Sequence, residues 1–192
     1  LAFFAYQLRD PVRVEAESSP NFDQAAPEWS IIRYIFNSTD GQDDQITLTW
    51  YDGGKKPDPS LVKQTQLPGN GTIIVGDKDA LFVPNYWGAG TFVGSGRTMA
   101  DFTDVPETFA KVPGDNDRAH HLEWIDACKS GKPKAALSNF DYAGPMTEAV
   151  LLGNVALRAG AAIEWDAKAM KVTNVSDANR FISSTYRDGW SL

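Results

Sequence analysis

A chain of 192 residues that is 42% hydrophobic and 11% aromatic is long enough for one domain with a real core and too rich in large side chains to be a disordered segment. Its 18 Lys and Arg against 25 Asp and Glu leave a net charge of −7, which repels phosphate backbones and argues against nucleic-acid binding through counterion release. A single cysteine, Cys128, excludes an internal disulfide framework and a cysteine-based zinc site, and the two adjacent histidines, His120 and His121, leave little for a histidine-rich metal centre.

The chain opens on the apolar run Leu1 to Leu8, which has no basic leader and falls well short of the ~20 residues a membrane-spanning helix needs. It reads as the last turns of a helix, and the molecule as a cut domain. The segments Val12 to Ser18 and Gln45 to Tyr51 alternate apolar and polar residues with period two, and Trp29 to Phe36 is rich in β-branched and aromatic residues. Asp52-Gly53-Gly54 followed by Pro57 and Pro59 ends the strand pattern. Thr72 to Gly76 and Ala80 to Val83 flank Asp77-Lys78-Asp79 as a hairpin, and Thr91 to Val93 and Arg97 to Met99 add short edge strands. Strands following strands with no long helix between them imply antiparallel pairing.

The second half is helical. A first helix is expected from Arg118 to Lys129, capped by Asn116 or Asp117 and stopped at Gly131. On it Trp124, Ile125, Ala127 and Cys128 share one arc with His121 at its middle, while Glu123, Asp126 and Ser130 face the other way. A second helix, about Asp141 to Ala159, takes Pro145 in its first turn and stops at Gly160; its interior is apolar nearly all round and is expected to be deeply buried. Gly153 costs about 1 kcal/mol of helix propensity against Ala, and close approach to the sheet is a reason to tolerate it. A strand at Ile163 to Trp165 and a third helix from Asp177 to Arg187 complete the chain. The expected architecture is a single α+β domain over residues 1–192, an open and mostly antiparallel β-sheet with helices packed on one face.

Four groups of residues carry candidate chemistry. Gly88-Ala89-Gly90 and Gly94-Ser95-Gly96 begin like dinucleotide fingerprints, but Val93 and Met99 occupy the third glycine position and no helix follows, so both are read as turns and no cofactor-binding residue is assigned. His120 and His121 sit at a helix start, either as a core or capping histidine beside a surface one, or with one imidazole at a cleft where it meets a substrate hydroxyl or moves a proton. Tyr86 and Trp87, with Trp50, are either a platform for a sugar ring or packing residues. Asp52 to Pro57 is either a polyol-holding loop or a solvated turn, and Asn37, Asn70 and Asn174 head Asn-x-Ser/Thr sequons. No metal site, no Ser/His/Asp set and no two-carboxylate apparatus stands out.

Several stretches in order resemble one family. They are Pro11-Val-Arg-Val-Glu-Ala-Glu17, Trp50-Tyr-Asp-Gly-Gly-Lys-Lys-Pro57, His120 to Pro133, Ser138-Asn-Phe-Asp-Tyr-Ala-Gly-Pro145, Thr147 to Ala156 and Glu164 to Asn174. Together, over nearly the whole chain, they resemble the C-terminal domain of the glucose–fructose oxidoreductase / inositol dehydrogenase / MocA (Gfo/Idh/MocA) family, in its bacterial branch acting on sugars. The resemblance implies an N-terminal Rossmann domain that binds NAD or NADP and carries a catalytic lysine in a Glu-Lys-Pro motif, and a C-terminal domain that supplies substrate contacts and an oligomer interface. The Rossmann fingerprint, the Glu-Lys-Pro motif and the family's Gly-x-His element are not in this sequence, and the last is expected upstream of Leu1. No catalytic residue is therefore carried over. What carries over is a substrate-contact role for His120 and His121, which fall where relatives place polar residues near the cleft.

The expectation is thus a substrate-binding and oligomerisation domain of an NAD(P)-dependent oxidoreductase acting on a sugar or polyol hydroxyl. This chain alone is expected to be inactive and without a cofactor of its own. It would self-associate through the open sheet face, with no nucleic-acid or membrane partner, in the bacterial cytoplasm or periplasm. The alternative is a non-catalytic carbohydrate-binding or structural module.

Overall fold

The computed structural model describes residues 2–20, 25–38, 44–85, 89–106, 108, 110 and 112–190. The fold is α+β, with antiparallel strands in two open sheets rather than one. By their internal contacts the residues form two compact units, Leu1–Gly53 with Pro113–Leu192, and Gly54–Val112.

In the larger unit, β1 (Arg13–Ser18), β2 (Ser30–Asn37), β3 (Gln45–Asp52), β7 (Ile163–Asp166) and β8 (Lys171–Val172) form a five-stranded sheet in the order β3-β2-β1-β7-β8. Register follows the period-two pattern: Val14 faces Tyr34 and Ile163, Tyr34 faces Leu48, and Ile32 faces Ala16 and Trp50. Directly opposed residues share a face, so one side of the sheet collects Val14, Ile32, Tyr34, Phe36, Ile163 and Trp165, all buried. Each such side chain removed from water contributes ~1.5–3 kcal/mol.

α3 (Phe140–Ala159) lies on that side, packed along β1 and β2. It buries Ala149, Leu152, Gly153, Val155 and Ala156. Val150 and Leu151 are exposed, so the helix buries one stripe and is not enclosed all round as the sequence led us to expect. The reason is that only one sheet face receives it. Gly153 is placed directly over the sheet: a Cβ there would overlap Tyr34 Oη and sit 3.0 Å from Ile32 Cδ1. The Tyr34 hydroxyl donates to the Val150 carbonyl at 3.3 Å, and Trp165 Nε1 donates to Glu148 Oε1 at 2.8 Å, so polar atoms at this interface are paired. Asn139 caps α3, its side chain accepting from Asp141 N at 2.9 Å, and Gly160 in the left-handed region closes it. Pro145 stands inside the helix, beyond the first turn where it was expected, because the helix begins at Phe140.

α1 (Ala2–Ala5) is the short helical end expected at the start, and Phe3 meets Phe36 edge-on with centroids 5.9 Å apart. The expected third helix is only a 3-10 segment, Ser176–Phe181. Asn179 explains its place: its side chain accepts from Val172 N and donates to the Val172 and Ser176 carbonyls, each at about 3 Å, tying the segment to β8. β8 itself was not foreseen, since two residues are too few for a periodic signal.

The opposite face of the larger sheet is charged. Arg13 pairs with Glu15 at 2.8 Å and with Glu164 at 3.5 Å, and Arg33 pairs with Glu17 at 2.5 Å, around half-buried Ile31 and Ile35. The Glu17 partner raises the Arg33 pKa further.

In the smaller unit, β4 (Thr72–Val75), β5 (Ala80–Val83) and β6 (Thr91–Phe92) form a three-stranded sheet. The expected hairpin is present, closed by Gly76 N donating to the Asp79 carbonyl at 3.0 Å. The Asp79 carboxylate accepts from Gly94 N at 2.6 Å, Ala80 N at 2.8 Å and Ser95 N at 3.2 Å, and these bonds, that from Gly94 foremost, hold it below the usual carboxylate range. Gly94-Ser95-Gly96 is therefore a turn wrapped on the Asp79 carboxylate. Arg97 to Met99 is not a strand; Thr98 makes one isolated bridge to Thr91, and Met99–Asp101 is a 3-10 turn.

The contact between α3 and the sheet gives a direct expectation. Gly153→Ala should lower unfolding free energy by ~1–3 kcal/mol through overpacking. In urea denaturation Tyr34→Phe should cost ~1 kcal/mol alone, yet partly rescue Gly153→Ala by removing the overlapping oxygen. Burial also pushes the Tyr34 phenol from 10.0 up to about 12. The unfolded state then ionises first, so stability should fall as pH rises between those values, and Tyr34→Phe should remove that part of the fall.

Candidate functional site

α2 (Asn116–Ser130) carries both candidate histidines in its second turn. It starts two residues earlier than expected, with Asp115 in extended conformation at the cap position, and ends at Gly131, whose N–H bonds back into the last turn. Its inward stripe is Ala119, Glu123 and Ala127, spaced at i, i+4 and i+8: the two alanines are buried and the Glu123 side chain is only 9% exposed. This corrects the expected orientation. Trp124 is 65% exposed and Cys128 is exposed, whereas Glu123 turns inward. The physical reason is a hydrogen bond: Glu123 Oε1 accepts the Leu137 N–H just after the 3-10 turn Pro133–Ala135. Turned inward, the carboxylate satisfies a backbone donor that would otherwise lack an acceptor. Hydrophobic periodicity could not reveal this, since it assigns carboxylates to the outside.

His120 and His121 are both exposed. Their rings are 6.1 Å apart between centroids and inclined at 50° to each other. His120 Nδ1 lies 3.9 Å from Glu123 Oε2, a pairing that requires the protonated ring. The arrangement gives two solvent-facing imidazoles, one beside a carboxylate that is already fixed by the Leu137 amide. It suits donating or accepting hydrogen bonds to hydroxyl groups. Among the described residues no group of three or more His, Cys, Asp or Glu converges for a metal ion.

Tyr86 and Trp87 lie outside the described residues. Trp50, weighed with them as a stacking surface, is 56% exposed on the edge strand β3. It stands opposite Ile32 on the helix-covered side of the sheet, which leaves an indole face open at the sheet margin. The Asp52 to Pro57 stretch behaves as a turn: Gly53 N donates to Asp52 Oδ1 at 2.8 Å, and Lys56 Nζ donates to the Leu67 carbonyl at 2.8 Å. Of the sequon asparagines, Asn174 is engaged at both ends of its amide, accepting from Glu164 N at 2.8 Å and donating to the Ala162 carbonyl at 2.9 Å. Among the described residues no helix is long and apolar enough to cross a membrane.

No protein-family model matches this chain, and no curated protein matches it.

The Glu123 contact separates the roles on α2. Glu123→Ala should leave the Leu137 N–H without its acceptor and cost ~1–2 kcal/mol. Glu123→Gln, which keeps an acceptor oxygen, should cost less. His120→Ala and His121→Ala should each stay within ~0.5 kcal/mol of the parent, as exposed positions do. Urea unfolding of the four variants reads all of these.

Proposed function

We propose that this chain is the C-terminal substrate-binding and oligomerisation domain of an NAD(P)-dependent oxidoreductase of the Gfo/Idh/MocA type acting on a sugar or polyol hydroxyl. The observation that carries the reading is an open antiparallel sheet with a long helix on one face and an ion-paired opposite face, in a chain whose ordered motifs resemble that domain. The parent enzyme would move hydride between a sugar carbinol carbon and the nicotinamide, with the hydroxyl proton handled by groups outside this chain. NAD or NADP would be held by the partner domain.

Within this reading, His120 and His121 contact the substrate. Two exposed imidazoles on one helix turn match the donor and acceptor pattern of a polyol. Tyr86 and Trp87 remain proposed sugar contacts. The ion-paired sheet face is the proposed surface for a second copy, and exposed charges of both signs on one face allow a self-complementary pairing about a two-fold axis.

Two measurements test this. The chain alone, titrated with NADH and followed by nucleotide fluorescence, should give no saturable binding; micromolar binding would contradict the reading. In the full-length parent, His120→Ala or His121→Ala should raise KM for the sugar with a smaller effect on kcat. Unchanged kinetics in both would remove these residues from the site. A reading frame that extends upstream into a βαβ unit with a glycine fingerprint supports the oxidoreductase; one that begins near Leu1 favours the carbohydrate-binding or structural module.

A further inference from the structure

We propose that Asn70-Gly71 is a site of spontaneous deamidation, a slow covalent modification that loosens the first pair of the β4–β5 hairpin. Asn70 is the asparagine in this sequence that is followed by glycine. Both residues are exposed, in a bend that leads directly into β4. Deamidation at an asparagine is governed by access of the next residue's amide nitrogen to the side-chain carbonyl carbon. A glycine offers no side chain to obstruct that approach and leaves the backbone free to adopt the required angle.

The fold itself demands the glycine. A Cβ at Gly71 would lie 2.7 Å from the Val83 carbonyl oxygen, in the strand that pairs with β4. Any larger residue would push the two strands apart where the register begins, at Thr72 opposite Val83. The close approach that sets the hairpin therefore also fixes the most reactive neighbour an asparagine can have.

The step balances without an oxidant or reductant. The Gly71 amide nitrogen, having given its proton to solvent base, attacks Asn70 Cγ. The new N–Cγ bond closes a succinimide as the Cγ–Nδ2 bond breaks, and Nδ2 leaves as ammonia. Water then opens the ring. Cleavage of the new N–Cγ bond leaves an aspartyl residue at position 70; cleavage of the original peptide bond leaves an isoaspartyl residue, with the main chain rerouted through Cγ. Either product adds a negative charge, and the second adds a methylene to the backbone immediately before Gly71. That extra atom displaces Gly71 from the Val83 carbonyl and unseats the Thr72–Val83 pair.

The test ages the full chain in mildly alkaline buffer and follows each asparagine by peptide mapping and mass spectrometry, with enzymatic methyl labelling to mark isoaspartate. Loss of most of the amide at position 70 is expected, without comparable loss at Asn139, Asn154, Asn174 or Asn179, each of which is followed by a residue with a bulky side chain. Asn70→Ser should abolish the conversion, and a free peptide spanning residues 67–72 sets the unrestrained rate. An amide at position 70 that survives while the peptide converts overturns the site. In the aged, isoaspartyl-rich fraction, amide hydrogen exchange across β4 should be faster than in fresh protein; unchanged exchange overturns the loosening of the hairpin.

Discussion

The contact between Gly153 and Tyr34 decides how the larger unit is built. A helix residue without a side chain lets α3 settle until its backbone meets the tyrosine ring, and the tyrosine hydroxyl finds its acceptor in the Val150 carbonyl of the same helix. That depth lets Leu152, Val155 and Ala156 enclose the inward row Val14, Ile32 and Phe36 from β1 and β2. With alanine in place of glycine the helix would ride higher and this layer would open. The propensity lost at Gly153, ~1 kcal/mol, is small beside the burial it permits, since each large apolar side chain contributes ~1.5–3 kcal/mol when removed from water.

One consequence is the asymmetry of the sheet. Strand side chains alternate between faces, so committing one face to α3 commits the residues between to the other. On β1 and β2 these are Arg13, Glu15, Glu17 and Arg33, which pair among themselves, and the half-buried Ile31 and Ile35 between them. Such pairs are partly exposed and contribute little to stability, but they keep an open face soluble and give it a charge pattern. The open face expected to be bare and apolar is instead largely ion-paired. Any partner it meets must satisfy charges, which makes the proposed association polar and sensitive to salt.

Much of this was legible in the sequence. The strands β1 and β3 announced themselves by alternation, β2 by its β-branched and aromatic residues, the Asp77-Lys78-Asp79 turn by its charges between two apolar runs, and Gly160 and Gly131 by their places after helical segments. Gly153 was legible as a close approach. The errors share one physical origin: interactions that pattern cannot see. Glu123 faces inward because a backbone N–H fourteen residues away needs an acceptor, and this turns Trp124 outward. The last helix shortens to a 3-10 turn because Asn179 spends its amide on β8. The division of the strands into two sheets was hidden as well, since alternation predicts strands and not their partners. For the site, residue types were legible but exposure was not: both histidines lie on the open side of α2, and the pattern had placed His121 in one arc with Trp124 and Cys128.

In the proposed function, the exposed face of the five-stranded sheet is the surface for a second copy. Sedimentation velocity over a wide range of protein concentration tests it directly. Reversible self-association that weakens as salt is added, and that is lost when the charge at Arg33 is reversed (Arg33→Glu), is the predicted result. A single monomeric species at every concentration, in low salt as in high, would contradict it.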